Sequence, residues 1–271
     1  MRRDPGIALA IAILALAAAT AIWLLSGTWL VHGSTYQEAS SEFPCSVSDM
    51  QPTADRVRQL MASTFLIRTE RDPELPAVKE GWLYQHEAGA GVALSEHEVL
   101  TGEHVVTSAR TVTITACDGF KQEVQVVWSD PVADLALLDT GIGNSPVDRQ
   151  LSPLPIRLRP LVAQYGIAEI SAGEAVSTIG TPDTDNWRFS TGAVQMMTVE
   201  PWGSSLPLLF ANVPEGETRV FGGHGSSGGP IVDADNCVVG IVTHTSPNGG
   251  LFFRPITLFC EFYDCSGFTL Q

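Results

Sequence analysis

The stretch Gly222-Gly223-His224-Gly225-Ser226-Ser227-Gly228-Gly229-Pro230 carries five glycines in nine residues, which neither a stable helix nor an ordinary strand tolerates. A run of this kind lets the backbone bend tightly and turn its amide groups outward. Ser227 sits in its midst with a reachable hydroxyl, and the N–H groups of Gly225 and Ser227 can converge on one point, as stabilisation of an oxyanion requires. A flexible Gly/Ser linker is the bland alternative. The flanking sequence argues against it. Ile231-Val232-Asp233 and Val238-Val239-Gly240-Ile241-Val242 are short β-branched runs about an Asp-Ala-Asp-Asn turn, so the loop feeds a rigid hairpin.

The same residues fit Gly-x-Ser-x-Gly, the strand-to-helix elbow of α/β-hydrolases. That elbow needs a helix directly after the serine, and Gly228-Gly229-Pro230 followed by β-branched residues is a poor helix start. Only a short tail remains to supply a downstream acid and histidine. A base for Ser227 must therefore lie upstream.

Composition excludes several classes of function. With 44% hydrophobic and 17% charged residues over 271 positions, the chain has the makings of a folded core. Its net charge of −15 reflects scarce lysine, with only Lys79 and Lys121 present. No basic cluster is available to hold phosphates, so nucleic acid is not an expected partner. There is no His-Glu-x-x-His pattern and no paired Cys-x-x-Cys, so neither a metal nor another cofactor is expected.

Met1-Arg2-Arg3 precedes an apolar run from Ile7 to about Val31, long enough to span a bilayer, with the arginines predicting a cytoplasmic N-terminus. Residues 1–31 thus read as a single-pass anchor. A cleaved signal peptide, cut near Ala19-Thr20-Ala21, is the competing reading. Both place the folded part outside the cytoplasm, in a periplasmic or extracellular space, where Cys45, Cys117, Cys237, Cys260 and Cys265 are free to form disulfides. Cys260 and Cys265 can close a small C-terminal loop, and an odd count leaves at least one thiol unpaired within the chain.

Residues 32–52 turn polar and read as a tether, after which 53–271 reads as the folded domain. Thr53-Ala54-Asp55 opens a short helix with Val57, Leu60 and Met61 on one side, and Thr64 to Ile67 is the first strand. Arg71 to Gly81, with two prolines, reads as a loop. Gly89 to Leu94 and Val99 to Val106 are strands about a polar turn, with His104 at the end of the second. Val112 to Thr115 and Val124 to Trp128 follow. In Val132-Ala133-Asp134-Leu135-Ala136-Leu137-Leu138 an aspartate stands at the mouth of an apolar strand, where burial is costly unless a donor holds it. Gly141 to Pro160 reads as a connection. The second half repeats the style with Ala175 to Gly180, Phe189 to Val194, an irregular segment from Glu200 to Glu217, the serine loop with its hairpin, Leu251 to Phe253, and a short closing helix from Pro255 to about Tyr263. The predicted fold is all-β.

His104, Asp134 and Ser227 stand in that chain order. A serine hydroxyl is a weak nucleophile near neutral pH, and an imidazole held in one tautomer by a carboxylate is the usual remedy. Taken singly, each has a bland reading: a core histidine, a strand-end cap, a loop serine. His32 and His86 read as surface or tether residues, and His97 as part of a turn.

Leu100-Thr101-Gly102-Glu103-His104-Val105-Val106 resembles the L-T-x-x-H-V-V segment of trypsin-like serine proteases of the HtrA type. Asp130-Pro131-Val132-Ala133-Asp134-Leu135-Ala136-Leu137-Leu138 resembles their D-x-x-x-D-L-A-L-L, and Gly225 to Pro230 resembles G-N-S-G-G-P. Ser171 to Val176, Ile179 to Pro182 and Ser190 to Val194 are similar to that family's second barrel. The resemblance covers about 64–259. It implies two antiparallel six-stranded β-barrels of chymotrypsin type, at about 64–140 and 160–259, with the active site between them. It also implies His104 as general base, Asp134 as its orienting acid, Ser227 as nucleophile, and Gly225 and Ser227 as oxyanion hole. Polypeptide substrate would pair as an extended strand along Thr243-His244-Thr245. Ser226 stands where the family has asparagine, the interval from Asp134 to Ser227 is long, and few residues follow the closing helix, so no PDZ domain is expected. Phe221 and His224 fall near the primary specificity pocket, which is either apolar or uses His224 or His244 to receive an acidic or polar side chain. The rival readings are a catalytically silent pseudoprotease that binds polypeptides and a purely structural anchor domain.

Overall fold

A computed structural model describes residues 37–38, 53–141, 150–158, 161–162, 167–168, 170–180, 187–200, 213–218, 223–245 and 250–271. The expected anchor or signal segment, most of the tether and Phe221 lie outside these residues. Among the described residues no helix is long and apolar enough to cross a membrane.

The first half is a closed barrel of six antiparallel strands: β1 (Thr64–Glu70), β2 (His86–Ala93), β3 (Glu98–Thr101), β4 (Thr111–Thr115), β5 (Lys121–Asp130) and β6 (Leu135–Asp139), paired in the order β1-β2-β3-β6-β5-β4. Side chains alternate across a strand, and the alternation sorts them into two cores. Phe65, Ile67, Ala136 and Leu138 point into the barrel with Val99, Val112 and Ile114. Leu66, Leu135 and Leu137 point the other way, into a cluster shared with Ile179, Val232, Val238 and Ile241 of the second half. Both faces of β6 are therefore covered, which accounts for its unbroken apolar run.

The second half comprises β7 (Ala175–Gly180), β8 (Arg188–Glu200), β9 (Val213–Thr218), β10 (Pro230–Val232), β11 (Val238–Thr245) and β12 (Leu251–Pro255). Its strands run in the order β8-β7-β10-β11-β12-β9, and β9 also pairs back onto β8. Val176, Val194, Ile231, Val242 and Phe253 fill its interior. The sheet has seven strands rather than the expected six, because Gln37–Glu38 pairs with Phe189 and Arg188. The β7 strand covers one edge of β8 and leaves the other open there, and an unpaired edge recruits whatever backbone reaches it.

Helix α1 (Thr53–Ser63) lays Val57, Leu60 and Met61 into the shared cluster, as their spacing predicts. Its Arg56 donates to Asn236 Oδ1 (2.7 Å) and Ser177 Oγ (3.1 Å) of the second half. Three local expectations are corrected. The loop from Arg71 to Gly81 contains a one-turn helix, α2 (Pro76–Lys79), started by a proline whose missing N–H costs nothing at a helix N-terminus. The strand expected through Val106 stops at Thr101; after Gly102 the chain makes a second single turn, α3 (Glu103–Val106). The segment expected to be irregular contains β9, whose two neighbours supply the pairing its proline and glycine do not favour. The closing helix α4 (Ile256–Phe262) forms where expected, and its Phe259 meets Trp128 of β5 edge-on at 5.3 Å. Cys260 and Cys265 form the small C-terminal disulfide, Cys117 is disulfide-bonded, and Cys237 is a buried free thiol.

Candidate active site

Each of the three candidate side chains is placed by a short irregular segment anchored to rigid strands. Before β6, Asp130 Oδ1 accepts from the N–H groups of Val132 (2.7 Å) and Ala133 (2.9 Å) and tightens the turn that delivers Asp134. Asp134 itself has φ +54°, a left-handed conformation that aspartate tolerates better than most residues. Its carboxylate spans residue 104: the backbone N–H of His104 donates to Oδ1 (3.0 Å), and ring Nδ1 lies 2.9 Å from both Oδ1 and Oδ2. A carboxylate at Nδ1 selects the tautomer with hydrogen on Nδ1 and leaves the Nε2 lone pair free to take a proton.

The glycine loop forms as a series of tight turns. Ser226 N–H donates to Gly223 O, and Gly229 N–H to Ser226 O, both at 3.0 Å, while Gly225 and Gly228 adopt φ of +89° and +83°. Ser226, in the place of the family's asparagine, is buried and accepts from Gly223 N–H through its hydroxyl (3.2 Å). The loop is pinned to both halves. Ala90 N–H of β2 donates to Ser227 O (2.7 Å), and Gly228 N–H donates to Val242 O of β11 (2.7 Å). Gly228 lies so close to the first barrel that a Cβ there would stand 2.1 Å from Ala90 O and 2.2 Å from Thr101 Oγ1.

These segments border one cleft of about 600 Å³ between the halves. The first half contributes Tyr84, Glu87, Glu103, His104 and Asp134, and the second Gly225, Ser227, Thr243, His244 and Arg254. His224 and Thr245 line it too, so every site residue expected from sequence reaches this cleft except Phe221, which lies outside the described residues. The Ser227 hydroxyl donates to Thr243 O (3.0 Å); no hydrogen bond to His104 forms among the described residues. No backbone acceptor among the described residues takes the N–H of Gly225 or Ser227.

Burial, the largest single influence on His104, pulls its pKa down. The hydrogen bond that the ring donates to Asp134 and the charges of Asp134, Glu87 and Glu103 outweigh it and hold the imidazole above its ordinary value. His244 is the reverse case. Burial first, then the charge of Arg254, push it down to about 4, so it is neutral at neutral pH. It stacks on Phe252 with ring centroids 4.5 Å apart. Sequence reasoning does not single out Glu87, Glu103, Arg254 and Tyr84, because no motif or spacing marks them. The same holds for Arg71, which lies just behind the cleft wall and is entirely buried.

The family described as "Trypsin-like peptidase domain" matches residues 89–241, more than half of the chain. "Serine protease HTRA1" of Xenopus laevis is 31% identical over 158 residues, covering 58% of this chain and 31% of that protein. The "Probable periplasmic serine endoprotease DegP-like" of Pseudomonas fulva is 29% identical over 184 residues, 66% of this chain and 34% of that protein. The chain thus spans about a third of the length of these curated relatives. Among solved structures, "HtrA-type protease AlgW with tripeptide" superposes with a TM-score of 0.59 at 22% identity, over 78% of this chain and 62% of that one. This structural likeness speaks to the fold.

Proposed function

Because the chain belongs to the trypsin-like peptidase domain family, in its HtrA/Deg branch, we propose that it is a serine endopeptidase that cleaves polypeptides through an acyl-enzyme. One observation carries the reading: an imidazole held by a carboxylate through both its ring and its own backbone N–H borders the same cleft as the hydroxyl of Ser227.

In this reading a peptide enters as an extended strand along Thr243–Thr245, and its own N–H competes for the Thr243 carbonyl that Ser227 occupies at rest. The released hydroxyl turns to His104 Nε2, loses its proton there and attacks the scissile carbonyl. The C–O bond to Ser227 forms as the carbonyl π bond opens onto oxygen, and the N–H groups of Gly225 and Ser227 receive the oxyanion. Each such donor contributes about 3 kcal/mol of barrier lowering. Imidazolium then returns the proton to the amide nitrogen as the C–N bond breaks. Water, deprotonated by His104 in turn, hydrolyses the ester and restores Ser227. Asp134 keeps the ring oriented and stabilises its charged form throughout.

Residues 53–271 form the catalytic domain in this account, and 1–31 a single-pass anchor that holds it outside the cytoplasm. The charge asymmetry of the N-terminal segment and the relative named as periplasmic support that placement. A neutral His244 favours a polar or apolar substrate side chain over a carboxylate at its subsite. Incubating the full chain with a peptide library, beside Ser227→Ala, tests the proposal. Cleavage within peptides that disappears in the variant is expected, and equal turnover by both proteins would sink it.

A further inference from the structure

Arg71 lies at the end of β1 in a segment that reads as an ordinary proline-containing loop, yet its side chain is fully buried. An isolated guanidinium out of water is strongly disfavoured unless its donors are used. Here they are. Nε donates to Thr107 O (2.6 Å), Nη1 to Tyr84 O (2.8 Å), and Nη2 to His104 O (3.0 Å) and Val105 O (3.2 Å). Glu87 adds an ion pair at 3.8 Å from Nη1. The Arg71 main chain joins the same wall through its N–H to Gln85 O (2.8 Å).

Three of the four carbonyls belong to α3 or the residue after it. A helix of one turn cannot satisfy its own C-terminal carbonyls, and the guanidinium fork takes up those of His104, Val105 and Thr107 together. The peptide groups flanking residue 104 are consequently gripped from both sides. Asp134 holds the N–H before its Cα, Arg71 holds the C=O after it, and Asp134 also holds the ring. The fourth carbonyl, that of Tyr84, ties in a segment that also lines the cleft.

We infer that Arg71 is a positioning residue for the reaction: by capping the single turn that bears His104 and binding it to the Tyr84–Glu87 wall, it fixes the imidazole relative to Ser227. The inference rests on His104 being the base. Lysine does not substitute, because one ammonium cannot reproduce a planar fork that reaches four carbonyls on two segments. A base displaced by about 1 Å loses on the order of a hundredfold in rate, whereas the substrate strand at Thr243–Thr245 stays as it was. The defect therefore falls on kcat.

The test compares wild type, Arg71→Lys, Arg71→Met and His104→Ala in the full chain. Readouts are kcat and KM on a cleaved peptide, the rate of fluorophosphonate labelling, thermal unfolding, and the low-field proton resonance of His104 Nδ1–H. Arg71→Lys is expected to stay folded, lose roughly ten- to a hundredfold in kcat and in labelling rate with KM within about threefold, and shift or broaden the resonance. Arg71→Met is expected to lose at least as much. A folded Arg71→Lys with full kcat and an unmoved resonance overturns the inference. So does loss of folding in both variants, which assigns Arg71 to the barrel rather than to the imidazole. Undiminished labelling in His104→Ala is a different failure, since it removes the base on which the inference stands.

Discussion

Replacing Gly228 by alanine adds one methyl group and, on this structure, disables the site. The first cost is conformational: φ of +83° is left-handed, and an L side chain there costs roughly 1–2 kcal/mol. The second is steric. The new Cβ would lie 2.1 Å from Ala90 O, against about 3.3 Å for an ordinary carbon–oxygen contact, so the serine loop must retreat from β2 by roughly 1.2 Å. That retreat stretches the Ala90 N–H bond to Ser227 O and the Gly228 N–H bond to Val242 O, each worth about 1 kcal/mol net. The expected outcome is a loss of some 3–4 kcal/mol in urea unfolding and at least a hundredfold in the fluorophosphonate labelling rate. Gly173→Ala is the control. Gly173 has φ +90°, but a methyl group added to it would meet no atom within 4 Å, so it should lose only the conformational 1–2 kcal/mol and label normally. Wild-type labelling by Gly228→Ala, or equal damage from Gly173→Ala, would refute the reasoning.

Asp134→Asn keeps a residue that accepts left-handed φ but sets an amide N–H against ring Nδ1–H, which turns the imidazole to the wrong tautomer; peptide hydrolysis should fall by about 10⁴ with little change in melting. His244 has its pKa lowered from 6.5 to about 4 in the folded chain, so the unfolded chain binds the proton first as pH falls between these values. Stability should therefore drop by roughly 1–2 kcal/mol from pH 7 to pH 4.5, the half-buried ring's contact with solvent trimming the full effect of the shift. His244→Phe, which keeps a ring on Phe252, should remove that part of the drop in urea melts at the two pH values. His104 acts in the opposite direction. Its raised pKa stabilises the fold below 6.5, and that contribution fades as pH rises through the folded value. Opening the Cys260–Cys265 loop, closed over a separation of five residues, should cost about 2 kcal/mol in thermal unfolding while leaving Ser227 reactivity unchanged.

The strands are legible where burial imposes a period. β4 alternates between buried and half-exposed positions, and β6 is apolar from Leu135 to Leu138 because two cores flank it. The candidate site residues stand out in the sequence for a different reason: a serine nucleophile needs a base and an orienting acid, and few segments present a histidine, an aspartate or a serine at the end of a regular element. What escapes is what depends on partners distant in the chain. The turn bearing His104 is too short for any periodicity, and Val105-Val106 favour a strand, so only Gly102 marks the break. The strand β9 holds Pro214 and Gly216 and forms because β8 and β12 flank it. Nothing local distinguishes Arg71 from a surface arginine, since its role lies in carbonyls 13 to 36 residues away.

The most direct measurement is to treat the full chain with a fluorophosphonate across a range of pH and locate the adduct by mass spectrometry. The account predicts a single adduct on Ser227, formed at a rate that falls on acidification with a midpoint above the ordinary imidazole value, because the base must be neutral and its pKa is raised. An adduct elsewhere, no adduct at any pH, or labelling of Ser227 that is indifferent to both pH and the loss of His104 would contradict it.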